Sequence, residues 1–446
     1  MNRQLIDTLQ DPDPKIRWHA ATKLGEVRDS RAVDPLINAL DDDDNRVRER
    51  AAWSLGRLQD ERAVPHLIEA LGDEDWRVRR WSAWSLGMIG ASEACQNLGI
   101  VLGEDTNWRV RRECALALGR IRDETLIHPL VDSLDDTDWR VRDAVSKALV
   151  SIGRLAVEPL ITALNAEEPA LRERAAEVLG LIGDLRAVTA LLDSANEKNL
   201  NNVSNEVIDA LGLIGDARAV EQLIHMMKEG DESMRYNVAK ALGHIGDNRA
   251  VKVIVRALQD PDDYVRARAA EALGEIGDRR AVRGLVKALD DPEGYVQRNV
   301  VDALGEIGDS RAIKPLINIL CEHDNFISYR AAMALGRIGQ EAVRPIVKLL
   351  KRQDEDILSN AICALGFLHD KRSIKHLHPF AKHPTSSIRY QVAWALGEIA
   401  DKRSVDTLIR LLTDDGVDVQ KVACESLEKI NTPEARSAVE EWYKQQ

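Results

Sequence analysis

Apolar and polar residues alternate along this chain with the period of a helix, in a unit that returns every 30 to 32 residues. The register mark is a Leu-Gly pair with its glycine at Gly25, Gly56, Gly87, Gly119, Gly180, Gly212, Gly243, Gly274, Gly305, Gly336, Gly366 and Gly397; Val150 and Glu428 take its place in two further units. Wound at roughly 100° per residue, "RVRERAAWSLGRL" from Arg46 gathers Val47, Ala51, Ala52, Leu55 and Leu58 on one side, which predicts an amphipathic helix with that side in a core. Upstream, "RAVDPLINALDD" from Arg31 has the same spacing and ends in an acidic turn, which predicts a first helix for each unit. Most units join through an Asp-x-Arg-Ala-Val/Ile element such as "GDARAV" from Gly215. There the glycine permits a left-handed helix cap and the aspartate caps the next start. No segment alternates with period two for long enough to predict a strand.

The expected fold is therefore all-α, with helix pairs stacked to bury their apolar stripes. One solenoid is expected over residues 1–446, with Met1 to Gln10 giving the first helix of repeat one and residues 433–446, "PEARSAVEEWYKQQ", a C-terminal capping helix. The unit "DEDWRVRRWSAWSLGMIG" and its counterparts resemble the short HEAT-type repeat named after the phycobilisome (PBS) lyases. That resemblance implies a right-handed α-α superhelix, a HEAT-like solenoid, of about fourteen two-helix repeats. It implies fold more than activity, because the repeat serves proteins of many functions.

Counted from the glycine, positions −10, −7, −6, −3 and +1 of the second helix lie opposite the core, and the resemblance implies that they line a concave groove. They hold Trp18, Trp53, Trp81, Trp84, Tyr236, Tyr264, Tyr295, Phe326, Tyr329, Phe367, Tyr390 and Trp394, two thirds of the eighteen aromatic residues. A solvated face is depleted in such residues, whereas binding centres are rich in Trp, Tyr and Arg. Arg46, Arg50, Arg57, Arg77, Arg80, Arg109, Arg112 and Arg120 share these positions, so aromatic and Arg side chains together form the candidate partner-binding groove. The competing reading is structural: the aromatics shield one another and cover the Arg stems. Trp76, Trp108 and Trp139, at helix starts, are expected to pack between repeats. Arg recurs at position −8 in nine repeats, among them Arg48, Arg79 and Arg142, where a ladder of contacts to the turn aspartates is expected.

Charge adds polarity. In repeats one to five the groove positions carry eleven Lys or Arg against four carboxylates; in repeats six to ten they carry four against eight. The whole chain has a net charge of −13, which opposes indiscriminate coating of nucleic acid. Five scattered cysteines without CxxC spacing give neither a disulfide framework nor a zinc knuckle. The absence of a long apolar run and of an N-terminal apolar segment points to a cytoplasmic protein without a membrane span.

There is no HExxH, P-loop or GxSxG motif, and no His-Glu pair of the kind that ligates iron in deoxyhypusine hydroxylase, a HEAT-repeat enzyme. His369, His376, His378 and His383 cluster in sequence, but His376 and His378, two apart on a helix, point in different directions, and Cys321 to Asp324, "CEHD", is an ordinary repeat turn, so no metal or other cofactor is expected. The chain is read as a non-enzymatic protein-binding scaffold, with a part in assembly or maturation of a protein partner. Two alternatives remain: a phycobilin lyase-like protein holding a bilin on the groove Trp and Arg side chains, and nucleic-acid binding through the basic repeats one to five.

Overall fold

The computed structural model describes residues 2–195, 203–322 and 325–445, and the regular elements among them are all helical. They form two compact units, Met1–Ala219 and Val220–Gln446. In the first, the second helices of repeats one to seven are Pro14–Val27, Asn45–Leu58, Trp76–Ile89, Trp108–Ile121, Trp139–Ile152, Pro169–Ile182 and Asn205–Ile214. In the second they are Glu232–Ile245, Asp263–Ile276, Gly294–Ile307, Asn325–Ile338, Glu355–Phe367, Ser386–Ile399 and Val417–Ile430, and Pro433–Gln445 packs on the last. The expected first helices are shorter than their apolar pattern suggested: Val33–Asn38 is flanked by 3₁₀ turns at Ser30–Ala32 and Ala39–Asp41.

The turn chemistry follows the sequence. Gly215 takes a φ of 73°, the left-handed cap, and Asp29 and Asp60 accept hydrogen bonds from the backbone N–H of Arg31 and Arg62 to start the next turn. The core side chains Val47, Ala51, Ala52 and Leu55 are buried, with counterparts in each unit. The Leu-Gly glycine has a different role from that of a cap. It lies inside the second helix, where the next repeat's helix comes close: a Cβ on Gly87 would stand 2.7 Å from the Cα of Ala117, and one on Gly119 2.7 Å from that of Ala148. Small residues at position −2 complete this contact, and the hydroxyls of Ser54 and Ser85 donate to the carbonyls of Ala21 and Ala52 in the preceding helix, each at 2.7 Å.

A second tie runs along the turns. Arg48 donates from Nε to Asp73 at 2.8 Å and from Nη1 to its own turn's Asp42 carbonyl at 2.9 Å, and Arg17, Arg79, Arg111, Arg235, Arg266 and Arg389 repeat the arrangement. This is the expected Arg-Asp ladder, with Arg48 and Asp73 largely out of water. It fails at Arg142, which reaches only the carbonyls of Asp136 and Thr137, because Ala166 stands where the other turns carry the accepting aspartate. The glycine slot fails at the same joint: Val150 fills it, and Trp139–Ile152 packs far more sparsely on Pro169–Ile182 than the neighbouring second helices pack on each other.

Candidate partner-binding surface

The second-helix face opposite the core carries the candidate residues in both units. In unit one, Trp18, Trp53, Trp81 and Trp84 are half-buried, Arg50, Arg57, Arg80 and Arg112 likewise, and Arg46, Arg77, Arg109 and Arg120 are exposed. The guanidinium of Arg50 lies over Trp18 at 5.1 Å and over Trp53 at 5.6 Å, and Arg57 covers Trp53 at 5.7 Å. Arg50 and Arg57 form no ion pair among the described residues, and the Nε of each is out of water without a hydrogen-bond partner. The aromatic contact therefore carries part of their stabilisation.

Repeats three and four form the adjoining cluster. Trp81 and Trp84 meet edge to face at 5.4 Å, Arg80 lies over Trp81 at 4.9 Å, and the Trp81 indole N–H donates to Glu49 at 3.1 Å. Glu113, expected in the groove, is buried between Arg80 at 3.8 Å and Arg120 at 3.6 Å. It neutralises one pair of arginines, while Arg109 and Arg112 form no ion pair among the described residues.

In unit two, Tyr236 accepts a hydrogen bond from Arg268 at 2.8 Å, Tyr264 and Tyr295 lie 5.8 Å apart, and Phe367 bridges Tyr329 and Trp394 by edge contacts at 5.5 and 5.0 Å. Tyr264, Phe326, Tyr329 and Tyr390 are exposed. Arg268 and Arg330 pair with Glu271 and Asp302, so this face offers fewer free cations. Burial pushes the Glu275 and Glu306 carboxyls upward, as their ends lean onto Gly243 and Gly274 of the preceding helices.

One expectation is corrected. Trp76 and Trp108 pack between repeats, under Arg109 at 5.3 Å and Arg140 at 3.4 Å, whereas Trp139 is 65% exposed, where Ala170 stands at the position of those arginines and the two second helices pack sparsely. Trp76 and Trp108 each meet the Arg of their own repeat and that of the next, and the helix wheel does not reveal the second contact. Among the described residues no group of His, Cys, Asp and Glu converges as a metal site; part of "CEHD", residues 323–324, and residues 196–202 of an Asn-rich segment, "NEKNLNNVSNEV" from Asn196, lie outside them. No helix among the described residues is long and apolar enough to cross a membrane.

Comparison with known proteins agrees with this architecture. HEAT repeats match from residue 2 to 366 and again over 374–446 in overlapping segments, and the chain belongs to the HEAT-repeat family. A 96-residue stretch is 35% identical to phycocyanobilin lyase subunit alpha of Picosynechococcus sp. (strain ATCC 27264 / PCC 7002 / PR-6), over 20% of this chain and 36% of that protein. The chain spans about a third of that relative's length. Among solved structures, Kap121p is similar with a TM-score of 0.58 at 13% identity, covering 99% of this chain and 63% of its own. Kap95p, from a study of its binding to RanGDP, is similar with a TM-score of 0.55 at 14% identity, over 98% and 72% of the two chains. At such identity these likenesses are of fold.

Proposed function

We propose that this protein is a non-enzymatic scaffold that holds a protein partner against the second-helix groove of repeats one to four. The observation that carries the reading is the set of arginines that form no ion pair among the described residues, Arg50 and Arg57 foremost, laid on half-buried Trp18 and Trp53 beside the Trp81–Trp84 pair. A protein surface supplies both the carboxylates such arginines lack and the apolar groups that cover tryptophan. Assembly or maturation of that partner is the process this arrangement suits.

The test is capture from native lysate by wild type and by a Trp53→Ala, Trp81→Ala, Trp84→Ala variant of verified helical content. A stoichiometric protein retained by wild type and weakened about 30-fold or more in the variant, as removal of a binding centre requires, supports the scaffold. Equal capture overturns it. The similarity to phycocyanobilin lyase subunit alpha favours a second reading, a bilin on the same tryptophans with its propionates on the arginines. A saturable change in the absorption of added phycocyanobilin, lost in the variant, would replace the scaffold reading with this one.

A further inference from the structure

At the starts of the second helices, where Arg77 and Arg109 hold position −10 of the candidate groove, indole rings and guanidinium groups alternate through three repeats. Arg77 lies over Trp76 at 4.8 Å, Arg109 over Trp76 at 5.3 Å and over Trp108 at 4.5 Å, and Arg140 over Trp108 at 3.4 Å and near Trp139 at 5.9 Å. Each Trp except the last thus receives the Arg of the following repeat. Arg140 is also held by the capping residue of its own helix, as Asp138 accepts from its backbone N–H and pairs with its guanidinium at 2.7 Å, whereas the cap of Arg109 is Asn107, which accepts only its backbone N–H.

At repeat six the series stops on one side only. Ala170 occupies the Arg position, yet the capping position still carries a carboxylate, Glu168, which is exposed and makes no side-chain capping hydrogen bond. Exposed Glu167 adds a second negative charge, and the two second helices pack sparsely at this joint. By register, Trp139 and Glu168 hold the places of Trp108 and Asp138, with Ala170 in place of the guanidinium that Arg140 lays between those two.

We propose that Trp139 and Glu168 form a seat for an arginine side chain of a protein partner, stacked on the indole as Arg140 is on Trp108. Arginine suits the seat better than lysine, because its planar fork stacks on the ring while its edge donates to the carboxylate. This contact rests on the partner being a protein, but it lies apart from the groove tryptophans and is tested without that partner.

The full-length protein, ¹⁵N-labelled at its tryptophan indoles, is titrated with the tripeptide acetyl-Gly-Arg-Gly-amide and with its Lys counterpart, Trp139→Ala serving to assign the signal. The expected result is a saturable shift of the Trp139 indole with half-saturation on the order of 10 mM for the Arg peptide, and about threefold weaker for the Lys peptide. Ala170→Arg supplies the missing guanidinium in cis, so it moves the Trp139 signal in the free protein and abolishes the peptide response; Glu168→Gln weakens it severalfold. A Trp139 signal that does not saturate, no preference for Arg, or a response untouched by Ala170→Arg overturns the proposal. Because a tripeptide is the probe, failure here leaves the lysate experiment standing, and failure there leaves this seat standing.

Discussion

The two carboxyls that lean onto glycines show how the repeat sets the chemistry of single residues. Glu275 and Glu306 follow the Leu-Gly pair, and the absent side chains of Gly243 and Gly274 leave the hollows into which their ends fold. Burial raises both above the ordinary 4.5, so the folded chain holds these protons more tightly than the unfolded one. The stability this provides is fully present below 4.5 and is lost as pH rises through the raised values. A Glu275→Gln, Glu306→Gln variant resembles the protonated form at every pH. It is expected to melt on the order of 1–2 °C higher than wild type near neutrality, solvent screening keeping the effect small, and to match it near pH 4. Equal increments at both pH values in a thermal melt would show that burial is not the cause.

At the scale of the helix, one substitution has opposite signs at two glycines. In Gly87→Ala the new methyl meets the backbone of Ala117, which cannot yield without parting two helices; the expected cost is about 1–3 kcal/mol in urea unfolding. In Gly103→Ala, within the helix Cys95–Glu104, the methyl meets nothing within 4 Å, and the gain in helix propensity should stabilise by about 0.5–1 kcal/mol. If both destabilise alike, close approach is not why glycine marks the repeat. The contrast also separates what the sequence reveals from what it conceals. The helical period exposed the core stripe through Leu55 and the opposite face through Trp53 and Trp81, since both depend on one helix alone. The function of Gly87, the burial of Glu113 and the Trp108–Arg140 stack were hidden because each joins residues of different repeats. Trp139 was misread for the same reason: its exposure depends on Val150 and Ala170.

Across unit one, stability is carried by contacts between neighbouring repeats, so the weakest joint decides how the stack comes apart. That joint lies between Trp139–Ile152 and Pro169–Ile182, where three ties fail together: Val150 fills the glycine slot, Trp139 lacks its Arg, and Arg142 lacks its aspartate, leaving its Nε buried and without a hydrogen-bond partner. In native-state hydrogen exchange at low urea, amides of residues 14–152 should open as one block and those of 169–182 as another, with separate free energies. Ala166→Asp places a carboxylate where Asp42, Asp73, Asp105 and Asp136 receive the preceding Arg. By satisfying the buried Nε of Arg142 it should strengthen the joint by about 1–3 kcal/mol and bring the two opening energies together. A single block in wild type, or no convergence in Ala166→Asp, would mean that the joint is no weaker than its neighbours. If the two blocks are found, the Trp- and Arg-rich repeats can change their angle to repeats six and seven at low cost, and an arginine seated on Trp139 beside Glu168 would lock that angle by restoring one of the missing ties.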